Sequence, residues 1–176
     1  TSIITNNLVT AAKQADPAFV ANTRATLTLS DSAAGIYKVT VAGSAISPYT
    51  ATGSETYDSL LTELKTRIDG LSISGLTVTK YVNTLELTRV VSGTRTAFTI
   101  SASGGAANNK LTVFQDQVDN VSQLPTQTLH NRVVKIINTA SDNDTYFAKF
   151  VADNGTSGPG YWEETIDPSK SPGLDA

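Results

Sequence analysis

The chain has 176 residues and a net charge of −3 from 13 basic and 16 acidic side chains; it contains no cysteine, no methionine and one histidine, His130. A chain without cysteine has no disulfide framework, thiolate metal site or cysteine nucleophile, and one imidazole is too few for a His-rich metal site. No run approaches the roughly 18 apolar residues of a membrane span, and mild acidity argues against holding nucleic acid by phosphate neutralisation.

Residues 1–20 read as a connector: Leu8, Val9, Ala11, Ala12 and Ala15 fit a short helix ended by Pro17, or the segment is an extended connector, and both readings stay open. From Arg24 the hydrophobic period is two. Leu27 and Leu29 share one face and Thr26 and Thr28 the other, the pattern of a half-buried strand. Asp31 to Gly35 supplies a turn. A second strand follows with Tyr37, Val39 and Val41, then a tight turn at Ala42-Gly43-Ser44. A third strand is expected from Ile46 to Thr52, with Pro48 marking a sheet edge.

The period then changes to 3.6. Tyr57, Leu60, Leu61, Leu64 and Ile68 fall on one helical face. Ser54 is the expected N-cap, Glu55 and Asp58 suit the positive helix end, and Gly70 is expected to close the helix in the left-handed conformation. Alternation returns with Leu76 and Val78, Leu85 and Leu87, then Phe98, Ile100 and Ala102. A loop at 103–109 precedes Leu111 and Val113. Residues 21–115 therefore predict an α+β domain in the order β-β-β-α-β-β-β-β, with one helix covering a sheet.

Residues 116–176 predict a second, small β domain. Asp116 to Gln123 is acidic and turn-rich, and Leu124-Pro125-Thr126 ends it. Strands at Arg132–Ile137, Tyr146–Val151 and Tyr161–Ile166 make an antiparallel meander, with a turn at 140–144, a loop at 153–160 and a linker-like tail from Asp167. Such a meander is thin for independent stability and should pack on something absent from the chain. Charge is uneven: residues 21–114 carry 8 basic and 6 acidic side chains, residues 115–176 carry 4 and 9. Hydroxyls supply most of the polarity, with 26 Thr and 17 Ser against 16% charged residues. Threonine suits strands because its branched Cβ packs on a pleated surface.

Candidate chemistry is sparse. His130 precedes an apolar strand and lacks the nucleophile elbow that a catalytic imidazole would serve, so it reads as a turn or surface residue. Asp142-Asn143-Asp144 and Asp153-Asn154-Gly155 carry oxygen ligands but not the spacing of a calcium loop, and both residue types are ordinary turn formers. Glu163 and Glu164 flank no common bond, because adjacent strand residues face opposite ways, and Trp162 reads as core. The glycine-rich segments match no phosphate-binding fingerprint. Three Asn-x-Ser/Thr triplets, at Asn120, Asn143 and Asn154, are expected by chance in so Thr-rich a chain. No catalytic, cofactor or metal residue is assigned.

The last third carries a more specific signal. Ser122-Gln123-Leu124-Pro125, Val133-Val134-Lys135-Ile136, Asp142 through Phe150, Gly160-Tyr161-Trp162-Glu163-Glu164 and Pro172-Gly173 occur in that order. This module resembles tubular tail protein B, the tail nozzle family of short-tailed bacteriophages. Ile36 to Gly43, Tyr49 to Thr52 and the helix from Thr56 resemble an upstream insert of the same family. Phe147-Ala148 stands where the family more usually has Tyr-Val. The resemblance implies a structural, non-catalytic virion protein that self-associates in a ring, as a hexamer, contacts the tail adaptor and fibres, and passes DNA without binding it tightly. A chain opening on Thr1-Ser2-Ile3-Ile4 is then expected to be a piece of a longer protein. The alternative is a host-receptor or glycan-binding module of a phage or surface adhesin. A cell-wall hydrolase is the least favoured, since it needs two converging carboxylates.

Overall fold

The computed structural model describes residues 9–11, 22–105, 110–115, 121–138 and 144–167. In chain order the elements are β1 (Val9–Ala11), β2 (Arg24–Leu29), β3 (Gly35–Val41), β4 (Ser44–Ala45), β5 (Tyr49–Ala51), α1 (Tyr57–Asp69), β6 (Leu76–Lys80), β7 (Thr84–Val91), β8 (Thr94–Arg95), β9 (Ile100–Ser103) and β10 (Leu111–Gln115). A 3-10 turn (Val121–Gln123) leads to β11 (Gln127–Leu129), β12 (Val133–Asn138), β13 (Asp144–Ala152) and β14 (Ser157–Thr165). The fold is β-rich with one α-helix among the described residues, compatible with α+β.

All strand pairs are antiparallel. The first lobe holds two sheets, one ordered β10-β2-β7-β6 with β8 attached to β7, the other built on β3 with β4 and β5 on one edge and β9 on the other. Between them lies one core: Leu27 and Leu29 from β2, Tyr37, Val39 and Val41 from β3, and Leu85 and Leu87 from β7 meet α1. Leu60, Leu61, Leu64 and Ile68 of α1 are all fully buried there. Each such aliphatic side chain contributes about 1.5–3 kcal/mol by leaving water. The second lobe is a sheet ordered β1-β12-β13-β14-β11.

Several local expectations change. The third strand is interrupted: β4 and β5 flank Ile46–Pro48, and Ile46 turns into the core. The helix is capped by Thr56, not Ser54. Thr56 Oγ1 accepts from Ser59 N at 3.1 Å and Ser59 Oγ accepts from Thr56 N at 3.0 Å, a reciprocal cap. Ser54 is held instead by a hydroxyl contact with Thr52 at 2.7 Å. Gly70 ends the helix at φ −62°, in the right-handed region, its N–H bonded to Thr66 O, so no left-handed turn is required of it. The β7–β8 hairpin at Ser92-Gly93, both at positive φ, was not expected, although that dipeptide is a turn signal.

The second lobe is also larger than a three-stranded meander. Val9–Ala11, inside the segment read as connector, is extended and pairs with Ile136 and Ile137. Gln127–Leu129 adds a strand at the other side, against Ser157 to Pro159. The segment read as loop to residue 160 therefore starts β14 at Ser157. Its glycines allow this: a Cβ on Gly160 would sit 2.0 Å from Val151 O, closer than any side chain tolerates. The turn expected at 140–144 and the tail beyond 167 fall mostly outside the described residues.

Leu64→Ala is expected to cost about 2–5 kcal/mol, read as a lower urea midpoint by far-ultraviolet circular dichroism. A second test concerns Glu55. Its carboxylate accepts from Thr52 N at 2.9 Å, from Gly53 N at 2.8 Å and from the Tyr49 hydroxyl at 3.1 Å. The Thr52 backbone bond is the largest cause that lowers its pKa from 4.5 to about 2. A folded value below the unfolded one means the clamp is complete above about pH 4.5 and is lost as pH falls through about 2. Carbon-13 titration of the Glu55 carboxyl should show the low midpoint, with the Thr52 and Gly53 amides shifting alongside; a midpoint near the ordinary value contradicts the clamp.

Candidate functional site

The two lobes meet along β2, and the contact is polar. Alternation puts Ala25, Leu27 and Leu29 into the first core, and should leave Thr26 and Thr28 in solvent. Both threonines are instead fully buried, because the second lobe covers their face. In register with them across the sheet stand Phe114 and Thr112 on β10 and Glu86 and Thr84 on β7.

Five side-chain contacts cross this seam, and two within the first lobe support it. The guanidinium of Arg132 lies over the Phe114 ring, 4.3 Å from Cζ to the centroid. Arg132 Nη1 donates to Thr26 Oγ1 at 3.2 Å, and Thr26 Oγ1 is also 3.2 Å from Thr128 Oγ1. Gln127 Nε2 donates to Thr112 Oγ1 at 3.2 Å. Asn83 Oδ1 accepts from the Ser157 hydroxyl, and its Nδ2 donates to Leu29 O at 3.5 Å. Thr28 and Thr84 pair through their hydroxyls at 3.0 Å. Gly158 lets the lobes approach this closely: it sits at φ +114° and a Cβ there would lie 2.3 Å from Asn83 Nδ2. Of the buried polar residues, all but Thr23 belong to this contact: Thr26, Thr28, Asn83, Thr84, Thr128, Arg132 and Ser157.

Phe114 crosses the seam to complete the second lobe's small core with Val134, Ile136 and Ala148. Trp162 is partly buried against it. Its indole meets Phe150 edge-on at 5.1 Å and Phe114 at 6.4 Å, while Nε1 donates to Pro125 O at 2.9 Å. The partner expected to lie outside the chain is therefore, in part, the first lobe itself.

The other sequence candidates are dispersed. His130 Nδ1 accepts from Ala152 N at 3.2 Å, so it braces the β13–β14 hairpin. Glu163 pairs with Lys149 at 3.0 Å on the outer sheet face, and Glu164 lies across from Ala148 on the other. Asn154 Oδ1 accepts from the amides of Thr156 and Ser157, each at 2.9 Å, which occupies the oxygen that a cation would need. Asp153 is exposed. Asp142 and Asn143 lie outside the described residues, and of Asp144 only the backbone is described. Among the described residues, no group of three or more His, Cys, Asp or Glu side chains could hold a metal ion. No described helix is long and apolar enough to cross a membrane.

A family model described as bacteriophage nozzle protein matches residues 1–176. The chain belongs to that family. It is a structural component of the phage virion tail. A solved chain from Mycobacterium phage Patience is 20% identical over 84% of this chain, with a TM-score of 0.36. This chain spans 58% of that one. No curated protein matches. The seam was not anticipated from sequence; the signal that could have found it is a strand whose threonines recur on one face, followed by Gln127-Thr128 and Arg132 before an apolar strand.

Thr26→Val keeps the shape but leaves Arg132 and Thr128 each short of a partner. It should cost about 1–3 kcal/mol, while Thr77→Val on the exposed face of β6 should stay within about 0.5 kcal/mol. Urea unfolding followed by Trp162 fluorescence compares them; equal midpoints would show that the seam hydroxyls contribute nothing.

Proposed function

We propose that the chain is a non-catalytic part of a tail nozzle that self-associates in a ring, a hexamer in the parent protein. The ring forms part of the tube through which DNA leaves, and it contacts the tail adaptor and the tail fibres. The observation that carries this reading is the nozzle-family match over residues 1–176.

The charge arrangement supports a conduit that passes DNA without tight binding. Arg24, Lys65, Arg67, Lys80, Lys110 and Lys149 are each committed to a carboxylate of the chain itself. Residues 115–176 carry an excess of five acidic side chains, 9 against 4. Each phosphate a protein neutralises adds salt-dependent affinity, and cations already paired neutralise few. The outer face of the second sheet offers contact surface to a neighbouring subunit, with Val133 and Tyr161 exposed beside the Lys149–Glu163 pair. A repeated head-to-tail contact between unlike patches gives a ring when its rotation closes, and an open filament when it does not.

Light scattering of the full-length parent beside this chain tests the reading. A ring-sized parent, located by electron microscopy of the virion in the distal tail tube, is the expected result. A monomeric or trimeric parent would overturn the ring.

A further inference from the structure

Two strand edges, one in each lobe, are open among the described residues. The first belongs to the β7–β8 hairpin, which projects past the end of its sheet. β2 stops pairing with β7 at Thr88, and β6 stops at Arg89. The tip beyond them is held firmly. Ser92 and Gly93, both at positive φ, make a two-residue turn that matches strand twist. Val90 N donates to Gly75 O at 2.9 Å and Arg89 Nε to Ser74 O at 3.1 Å, which ties down the base. Thr96 N donates to Arg89 O at 3.0 Å, so Thr96 turns its backbone groups towards β7. By alternation Arg95 turns its own N–H and C=O away from β7. No described strand pairs with that side of β8.

The second edge is on β14. β11 covers its first residues, and Gly160 N still donates to Thr126 O at 3.3 Å. Before Thr126 the chain leaves the edge, since Leu124 packs into the second lobe's core. The register of β14 against β13 is unbroken from Gly160 to Thr165. Trp162 and Glu164 therefore share the backbone direction of Gly160 and point their N–H and C=O groups away from β13. Beyond Gly160 no described strand takes them up. An open edge of this kind is a template for another strand.

Charge distinguishes the two edges. Arg95 and Glu164 are both exposed, and neither meets an opposite charge among the described residues. Arg24, Lys65, Arg67, Lys80, Lys110 and Lys149 are all paired within the chain. Pairing either edge with itself through these residues would set like charges opposite each other, which is destabilising. Pairing the unlike edges sets Arg95 across from Glu164. Both residues then exchange two backbone bonds, and their side chains lie side by side on one face with opposite charge.

We propose that β8 of one copy adds to the free edge of β14 in the next, with Arg95 across from Glu164. This rests on the ring reading above and names its contact: each copy gives its hairpin to one neighbour and offers its β14 edge to the other, a head-to-tail arrangement. The affinity comes from main-chain bonds and the register from the charge pair. In this register Thr94 stands across from Thr165, at the non-hydrogen-bonded position where opposing side chains come closest.

Residues 1–176 contain no cysteine, so a disulfide can report the contact in the full-length parent. Thr94→Cys combined with Thr165→Cys should give a ladder of covalent oligomers on a non-reducing gel after mild oxidation, and neither single variant should. Mixing the two single variants should give a linked pair, which places the bond between copies. Arg95→Glu should weaken assembly by about tenfold, read by light scattering over a dilution series, because it sets like charges opposite. Arg95→Glu with Glu164→Arg should recover it. Both side chains are exposed, so the circular dichroism of these variants should match that of the parent. A parent that stays monomeric overturns the ring reading and this contact with it. A ring-sized parent whose double cysteine variant gives no ladder, or whose charge exchange gives no recovery, overturns the contact alone.

Discussion

Arg132 and Thr26 hold the two lobes in one arrangement. Arg132 is almost fully buried, stacked on Phe114 and bonded to Thr26. A buried guanidinium needs partners that replace water, because an uncompensated buried charge is costly, and the Phe114 ring and Thr26 hydroxyl are two of them. The neighbouring contacts then follow. Thr128 shares the Thr26 hydroxyl, Gln127 reaches Thr112, and Ser157 reaches Asn83. Net hydrogen-bond energies in such a seam are modest, but leaving any one partner unmatched is expensive. The seam therefore specifies a register between the lobes more than it adds stability.

Apolar packing on either side of the seam is unequal. The first lobe buries a continuous core around α1. The second has a small one and borrows Phe114 from β10 to complete it, with Trp162 closing the edge. An isolated small sheet of this kind is marginal in water. Its stability is therefore tied to the first lobe.

Much of the secondary structure was legible because it rests on local period. The α1 face of Leu60, Leu61, Leu64 and Ile68, the β2 and β3 alternation, and the three central strands of the second lobe all follow from spacing. Cap details were less legible: Thr52, Ser54 and Thr56 are chemically alike, and only the path of the chain chose Thr56 to bond Ser59 N. Short edge strands such as Val9–Ala11 and Gln127–Leu129 carry too few residues to show a period, and their pairing partners lie far along the chain.

By itself, the sequence determined a β-rich chain with one amphipathic helix, no thiol or His-rich chemistry, and a nozzle-type module in its last third. These depend on residue type and near spacing. Only the tertiary structure decided that Thr26 and Thr28 are interior and that Arg132 stacks on Phe114. Those outcomes depend on which distant strands share a face. A threonine reads the same in sequence whether water or another sheet lies opposite.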